Sequence, residues 1–115
     1  MAGERFEYLG VVIANGQSLS AAAQVGGYLL CGIIMPSAWT AAALTFQASK
    51  DGTTYNNLYS DGGVEHTVVA DASRHIKIDP QDFAGVQYVK VRSGTSGTPV
   101  AQGAARTITL VVRPA

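Results

Sequence analysis

The side chains able to do chemistry are few and far apart. His66 and His75 are the only histidines, and Cys31 is the only cysteine. A zinc site needs three or four such ligands or carboxylates at a suitable spacing, which the chain lacks. Alternating residues around each histidine predict a strand-face side chain instead, and Cys31 lies in the apolar run Tyr28–Pro36, where a thiol is inert.

Nucleophilic catalysis needs a base beside an activated serine or cysteine. No serine stands in a G-x-S-x-G turn, and the glycine-rich stretch Gly94–Gly97 lacks the Gly-Lys-Ser/Thr ending of a phosphate loop. We therefore expect no catalytic residue, no cofactor and no enzymatic activity.

Four aspartates precede turns or strand starts, where a short carboxylate accepts hydrogen bonds from nearby backbone amides. They are Asp51, Asp61, Asp71 and Asp79. Calcium bound by Asp51 and Asp61 is the alternative, but no D-x-D-x-D loop supports it. The prediction is turn capping, with no metal site.

Exposed aromatic residues are the strongest candidates for a binding surface. Trp39 follows a proline in a connection, and Tyr55 and Tyr59 flank Asn56 and Asn57. Aromatic rings can stack on a sugar while amides bond its hydroxyls, and the same residues can anchor a protein interface. The five residues are therefore candidate contacts with a glycan or a protein partner, and for Trp39 the alternative is to close one end of the fold.

Composition narrows the class of protein. The chain has 115 residues, of which 47% are hydrophobic and 14% charged, and its formal net charge is zero. Such a chain fits one domain and is unlike a disordered tail or a nucleic-acid binder. Its most apolar run has nine residues, too few to span a bilayer, and no signal peptide is recognisable. We expect no membrane or direct nucleic-acid contact.

Thirteen glycines and four prolines divide the chain into short apolar runs, which is the rhythm of an all-β protein. We predict a single-domain antiparallel β-sandwich or jelly roll over residues 1–115, with about eight or nine short strands. The runs are Arg5–Ala14, Leu19–Val25, Tyr28–Met35, Ala42–Ser49, Tyr55–Tyr59, Val64–Ala70, Arg74–Ile78, Val86–Arg92 and Thr107–Arg113.

Period-two alternation predicts which side chains are buried. In Ala42–Ser49 it places Thr45, Gln47 and Ser49 on a solvated face, and in Val86–Arg92 it does the same for Arg92. The run Leu29–Met35, apolar at nearly every position, predicts a central strand covered on both sides.

Three further segments carry expectations. Pro80–Gly85 is predicted to form one helical turn with Phe83 in the core, and Gly94–Ala105 a long loop that moves or contacts a partner. Met1–Tyr8 is predicted to be an N-terminal arm that orders on assembly.

Two stretches carry a family resemblance. Met35–Tyr59 (MPSAWTAAALTFQASKDGTTYNNLY) and Phe83–Gly94, continued by Arg106–Leu110, resemble small β-sandwich virion proteins of tailed bacteriophages, of the capsid decoration, cement or head-fibre type. The segment SKDGTTY also resembles discoidin-like and carbohydrate-binding jelly rolls.

The resemblance implies a non-enzymatic virion protein assembled in the host cytoplasm. The expected role is a capsid decoration or cement subunit that binds and stabilises the major capsid protein lattice, or contacts other virion proteins, as a homo-oligomer with a trimer as one candidate. Two alternatives stay open: a carbohydrate-binding or host-adhesion domain, and a tail or baseplate connector.

Overall fold

Short apolar runs separated by turn residues form eight strands. The computed structural model describes residues 5–115. The strands are β1 (Glu7–Ile13), β2 (Ala23–Gln24), β3 (Tyr28–Ile34), β4 (Leu44–Ser49), β5 (Asn56–Asn57), β6 (His75–Lys77), β7 (Tyr88–Ser93) and β8 (Arg106–Pro114).

The strands form two four-stranded sheets in which every pairing is antiparallel. The first sheet has the order β1-β8-β3-β6 and the second the order β2-β7-β4-β5. Their inner faces share one hydrophobic core. This arrangement confirms the predicted all-β antiparallel sandwich.

Alternation along the central strands builds the core as predicted. Ile108, Leu110 and Val112 on β8 have no exposed surface, and neither do Val89 and Val91 on β7. Each of these strands therefore buries the central part of one face, which is the main source of stability in a sandwich of this size.

The predicted helical turn is confirmed as a 3₁₀ helix over Pro80–Phe83. Asp79 caps it by accepting a hydrogen bond from the backbone N–H of Gln81 at 3.0 Å. Phe83 is 1% exposed, and its ring meets Phe46 edge-on with centroids 5.1 Å apart. The turn thus places a large aromatic side chain between the sheets.

β3 lies inside its sheet but is not covered on both sides, so that prediction was wrong. Leu30 and Ile33 face the core, whereas Leu29, Cys31 and Ile34 are only half-buried. The pairing with β8 shifts register between Leu30 and Gly32, and this irregularity displaces Cys31 from the alternation. The continuous apolar run therefore reflects a bulged strand with a partly exposed outer face.

Several predicted strands are shorter than their apolar runs. The run Leu19–Val25 contributes only the two residues of β2, and Val64–Ala70 forms no strand but only the isolated bridges of Glu65 with Tyr59 and of Val68 with Leu44. The alanines of the first run and the exposed Val64 and Val69 of the second give little side chain to pack on the core.

The predicted N-terminal arm is also shorter than expected within the described residues. Glu7 and Tyr8 belong to β1 and pair with Val112 and Val111 of β8. Residues 1–4, on which the rest of that prediction falls, lie outside the described residues.

Candidate functional site

Three of the five predicted contact residues line one open groove. Asn56 and Asn57 form β5 at the edge of the second sheet, and Tyr59, which is 51% exposed, follows two residues later. The groove has a volume of about 700 Å³. It is bounded by Ala48, Ser49, Lys50, Thr54, Asn56, Asn57, Leu58, Tyr59, Ala84, Gly85 and Val86.

The groove combines an apolar floor with a polar rim. Ala48, Leu58 and Val86 supply the apolar surface, whereas the side chains of Lys50 and Asn56 are exposed. No carboxylate is among the residues that line it. An aromatic ring beside amide groups and an amine is suited to binding a hydroxyl-rich ligand.

A hydrogen-bonded turn holds the segment beside this groove. The Asp51 carboxylate accepts hydrogen bonds from the backbone N–H groups of Thr54 at 3.0 Å and Thr53 at 2.9 Å, and from the Ser49 hydroxyl at 3.0 Å. These bonds favour the charged form, so they hold the pKa of Asp51 below its ordinary value of 3.8. Turn capping is confirmed here.

Turn capping recurs at two more of the predicted aspartates. Asp71 accepts a hydrogen bond from the Ala72 N–H at 2.8 Å, and Asp79 caps the 3₁₀ helix. Within residues 5–115, no three His, Cys, Asp or Glu side chains are grouped so as to hold a metal ion.

Tyr55 and Asn57 point to the outer face of the second sheet, where both already have partners. The Lys90 amine lies 4.4 Å from the centre of the Tyr55 ring, a cation–π contact. The Asn57 side-chain oxygen accepts a hydrogen bond of 2.6 Å from the Arg92 guanidinium. These residues stabilise the sheet surface, so Asn56 and Tyr59 are the more available side chains of the predicted set.

Arg92 is the centre of a buried polar cluster that the alternation pattern did not predict. Its Nη1 donates to the Thr45 hydroxyl and to the Glu65 carboxylate, each at 3.2 Å, and Glu65 also accepts from the Ser96 backbone N–H. Arg92 is 6% exposed and Thr45 has no exposed surface. The predicted solvated positions of Arg92 and Thr45 were therefore wrong, because the segments that carry Glu65 and Ser96 cover them. Ser49 was also predicted to be solvated, but it is 6% exposed and its hydroxyl is bonded within the Asp51 turn.

Trp39 does not join the groove. Its indole N–H donates to the Ala42 carbonyl at 3.1 Å, and its half-buried ring packs against the core. Trp39 precedes β4 whereas Tyr55 follows it, so the length of the strand, about 17–20 Å for six residues, separates the two. The five predicted residues therefore do not form one site, and Trp39 fits its alternative role as a cover over the core.

Gln102, which is 1% exposed, organises the Trp39 end of the sandwich. Its amide donates to the Thr40 carbonyl at 2.9 Å and to the Ser93 hydroxyl at 2.7 Å, and its oxygen accepts from the Thr40 N–H and from Arg106. The loop predicted over Gly94–Ala105 is thus anchored through a buried side chain. Contact of this loop with a partner stays a prediction.

The two histidines occupy different environments. His75 lies on β6 and is exposed, as predicted. His66 lies outside any strand and is half-buried, with its ring edge-on to Phe83 at 5.2 Å. The strand-face prediction for His66 was wrong, since the ring acts as packing at the margin of the core.

Exposed apolar side chains on β1 and immediately before it were missed at the level of sequence. Phe6, Tyr8 and Val12 are 47%, 61% and 45% exposed. Tyr8 and Val12 are an even number of residues apart on β1, so both side chains lie on the outer face of the first sheet. An alternating strand at a sheet edge does not reveal from sequence which of its faces lacks a cover.

Among the described residues, no helix has the length and apolar character needed to cross a membrane.

The two stacked antiparallel sheets define this protein as an all-β sandwich. No protein-family model matches its sequence, and no curated protein matches it. Among solved structures, it is similar to the crystal structure of the SPBc2 prophage-derived protein YomS, with a TM-score of 0.60 and 13% sequence identity. The likeness covers 98% of each chain. At this identity it shows a shared fold.

Proposed function

We propose that this protein is a non-enzymatic bacteriophage structural protein, and that it serves as a capsid decoration or cement subunit. The observation that carries the proposal is the end-to-end likeness to a prophage-derived protein, 98% of both chains at a TM-score of 0.60. The likeness accounts for the whole chain, and it agrees with the phage resemblance of Met35–Tyr59 and Phe83–Gly94.

The surface chemistry supports a role in assembly. The described surface carries exposed apolar side chains at separate places, including Val64 and Val69, which are 68% and 77% exposed. The formal net charge of zero limits repulsion between neighbouring copies. On a symmetric lattice, many weak contacts sum to tight attachment, so each copy needs only a modest interface with the major capsid protein.

The decisive experiment mixes the purified protein with emptied capsid shells of its own phage. We expect saturable binding and greater resistance of the shells to heat, and electron microscopy of gold-labelled particles should place the label on the capsid. Shells of an unrelated phage are the control. Label on the tail or baseplate would support a connector instead, and absence of the label from particles would refute a virion role.

A second candidate function is glycan binding in the groove, and the observation that favours it is that the exposed Asn56 and Tyr59 line the same groove. Fluorescence of Trp39 is a poor reporter because Trp39 lies elsewhere. Calorimetry with a panel of polysaccharides is the better test, with Tyr59→Ala expected to abolish binding and Tyr8→Ala to preserve it. Equal binding by both variants would exclude the groove.

A further inference from the structure

β1 is an unusually long free edge. Of the four strands at sheet edges in the described chain, β2 and β5 have two residues and β6 has three, whereas β1 has seven. A long edge presents unpaired backbone groups that bind another strand, and proteins often prevent this with proline, lysine or a bulge. β1 contains neither residue, and its pairing with β8 runs without a register shift.

The free backbone groups of this edge can be assigned. The Ala21 N–H donates to the Val12 carbonyl at 3.2 Å, so the backbone of Val12 faces away from β8. Because antiparallel pairing alternates, Tyr8 and Gly10 also direct their N–H and C=O groups away from β8. No turn or loop backbone group in residues 5–115 bonds to either residue. Four strong hydrogen-bonding groups therefore lie in a row at the edge.

We propose that β1 pairs antiparallel with β1 of a second copy, about a two-fold axis between the two Leu9 residues. Tyr8 of each copy then lies opposite Gly10 of the other, and their backbones exchange four hydrogen bonds. The two first sheets become one eight-stranded sheet. This dimer goes beyond the capsid role and does not depend on it.

Side chains select this register. Gly10 has no side chain, so it leaves space for the exposed Tyr8 ring of the second copy, and an aromatic ring over an edge glycine stabilises a sheet. Glu7 faces Val11 of the second copy, so no like charges lie opposite each other.

The neighbouring registers are less favourable. An axis at Gly10 needs a strand beside Val12, where Ala21 already lies. An axis at Tyr8 brings the two Glu7 carboxylates to diagonal positions, where they repel. The register about Leu9 pairs only Glu7–Val11 of the two copies, so the pairing ends before Val12 and Ala21, and it keeps the two Glu7 carboxylates apart.

The occupant that fits is a second copy, because the same seven residues supply both halves of a self-complementary contact, as two-fold symmetry requires. The pairing of Glu7–Val11 in the two copies covers part of Tyr8, and it buries at most on the order of 1,000 Å² in total, the low end for a specific interface. We therefore expect a reversible dimer that forms with rising concentration.

Sedimentation equilibrium of the full chain tests the dimer. We expect a monomer–dimer equilibrium, and Gly10→Pro should raise the dissociation constant about tenfold or more because each copy loses an edge N–H donor. The β1–β8 hydrogen bonds do not use that N–H. A protein that stays monomeric at all accessible concentrations, or that forms only trimers, would overturn the proposal.

Cysteine cross-linking tests the register even if Gly10→Pro fails to fold. In a Cys31→Ala background, Leu9→Cys should give a disulfide-linked dimer, since facing Leu9 residues have Cα atoms about 4.5 Å apart. Val12→Cys is the control: Val12 is more exposed than Leu9, but its two copies lie far apart in this register. Equal or faster cross-linking of Val12→Cys would refute the register, and no cross-linking of Leu9→Cys would refute the interface.

Discussion

Arg92 and Glu65 form a buried salt bridge on the outer face of the second sheet. Their Nη1 and Oε2 atoms lie 3.2 Å apart, and the two side chains are only 7% and 13% exposed. Since Glu65 also accepts the Ser96 N–H, this pair joins β7 to two segments that belong to no strand. This part of the outer face is therefore covered through a buried charged pair and not through apolar side chains.

We expect Glu65→Ala to lower the free energy of unfolding by about 3 kcal/mol, because it leaves the Arg92 guanidinium buried without a counter-charge. Urea denaturation measures the change. Arg74→Ala is the control: its bridge to Asp71 spans 3.8 Å between side chains that are 53% and 60% exposed, and should contribute less than about 1 kcal/mol. Similar losses in both variants would contradict the buried role of Glu65.

Gly94 should not tolerate a side chain, whereas Gly97 should. Gly94 has φ +88°, and a Cβ there would lie 2.5 Å from the Thr98 carbonyl oxygen and 2.8 Å from the Val100 nitrogen. We expect Gly94→Ala to destabilise the fold by about 2 kcal/mol or more. A Cβ at Gly97 meets nothing within 4 Å. Thermal unfolding of Gly94→Ala and Gly97→Ala measures this difference in stability. Equal stability of the two variants would show that the loop shifts to accommodate a side chain at position 94.

Asp51 should make stability depend on acid pH. Its folded-state pKa lies below 3.8 because the Thr54 and Thr53 amides and the Ser49 hydroxyl bond its carboxylate. Stability from this group is therefore present above the unfolded pKa and is lost as pH falls through the folded pKa. In Asp51→Asn, the urea midpoint should vary less with pH between about pH 2 and 5 than it does in wild type. Asp61→Asn removes the same charge at an exposed turn position and is the matched control for the loss of one carboxylate.

Tyr28 should show the opposite pH dependence. Its hydroxyl donates to Glu7 Oε2 at 2.9 Å, and this bond, together with the charge of Glu7, raises the pKa of Tyr28 above 10.0. Stability from this group is present below the unfolded pKa and is lost as pH rises through the folded pKa. In Glu7→Gln, ultraviolet titration should show one tyrosine with a lower pKa than in wild type. A tyrosine titration curve unchanged by that substitution would contradict the contact.

The anchored loop shows what local patterns could not predict. Gly94–Ala105 is rich in glycine, serine and threonine, which indicates a loop correctly. Gln102 within it is nevertheless among the most buried polar side chains of the described chain. Its partner Thr40 is 62 residues away in sequence, and its partner Ser93 is the last residue of β7. A polar residue has no periodicity that reveals such partners.

Only part of the predicted set of contact residues lies together in the structure, and whether these residues bind a partner stays a prediction. Asn56, Asn57 and Tyr59 are neighbours in sequence, so a single short strand and its turn bring them to one groove. Trp39 was grouped with these residues only because its side chain is aromatic. Its position was decided by the hydrogen bond to Ala42 and by packing on the core.

The amino-acid sequence alone determined the fold class. Ile108, Leu110 and Val112 can be buried together only on one face of an extended strand. Because glycine-rich turns separate several such strands, a sandwich of two sheets is the compact way to bury their apolar faces. The tertiary structure alone decided which polar side chains are buried and which edge is free. Burial of Arg92 depends on Glu65 and Ser96 lying over it, and the exposure of β1 depends on the order of strands in the sheet. The Arg92–Glu65 contact joins residues 27 apart in sequence, and the β1–β8 pairing joins opposite ends of the described chain, and local alternation encodes neither.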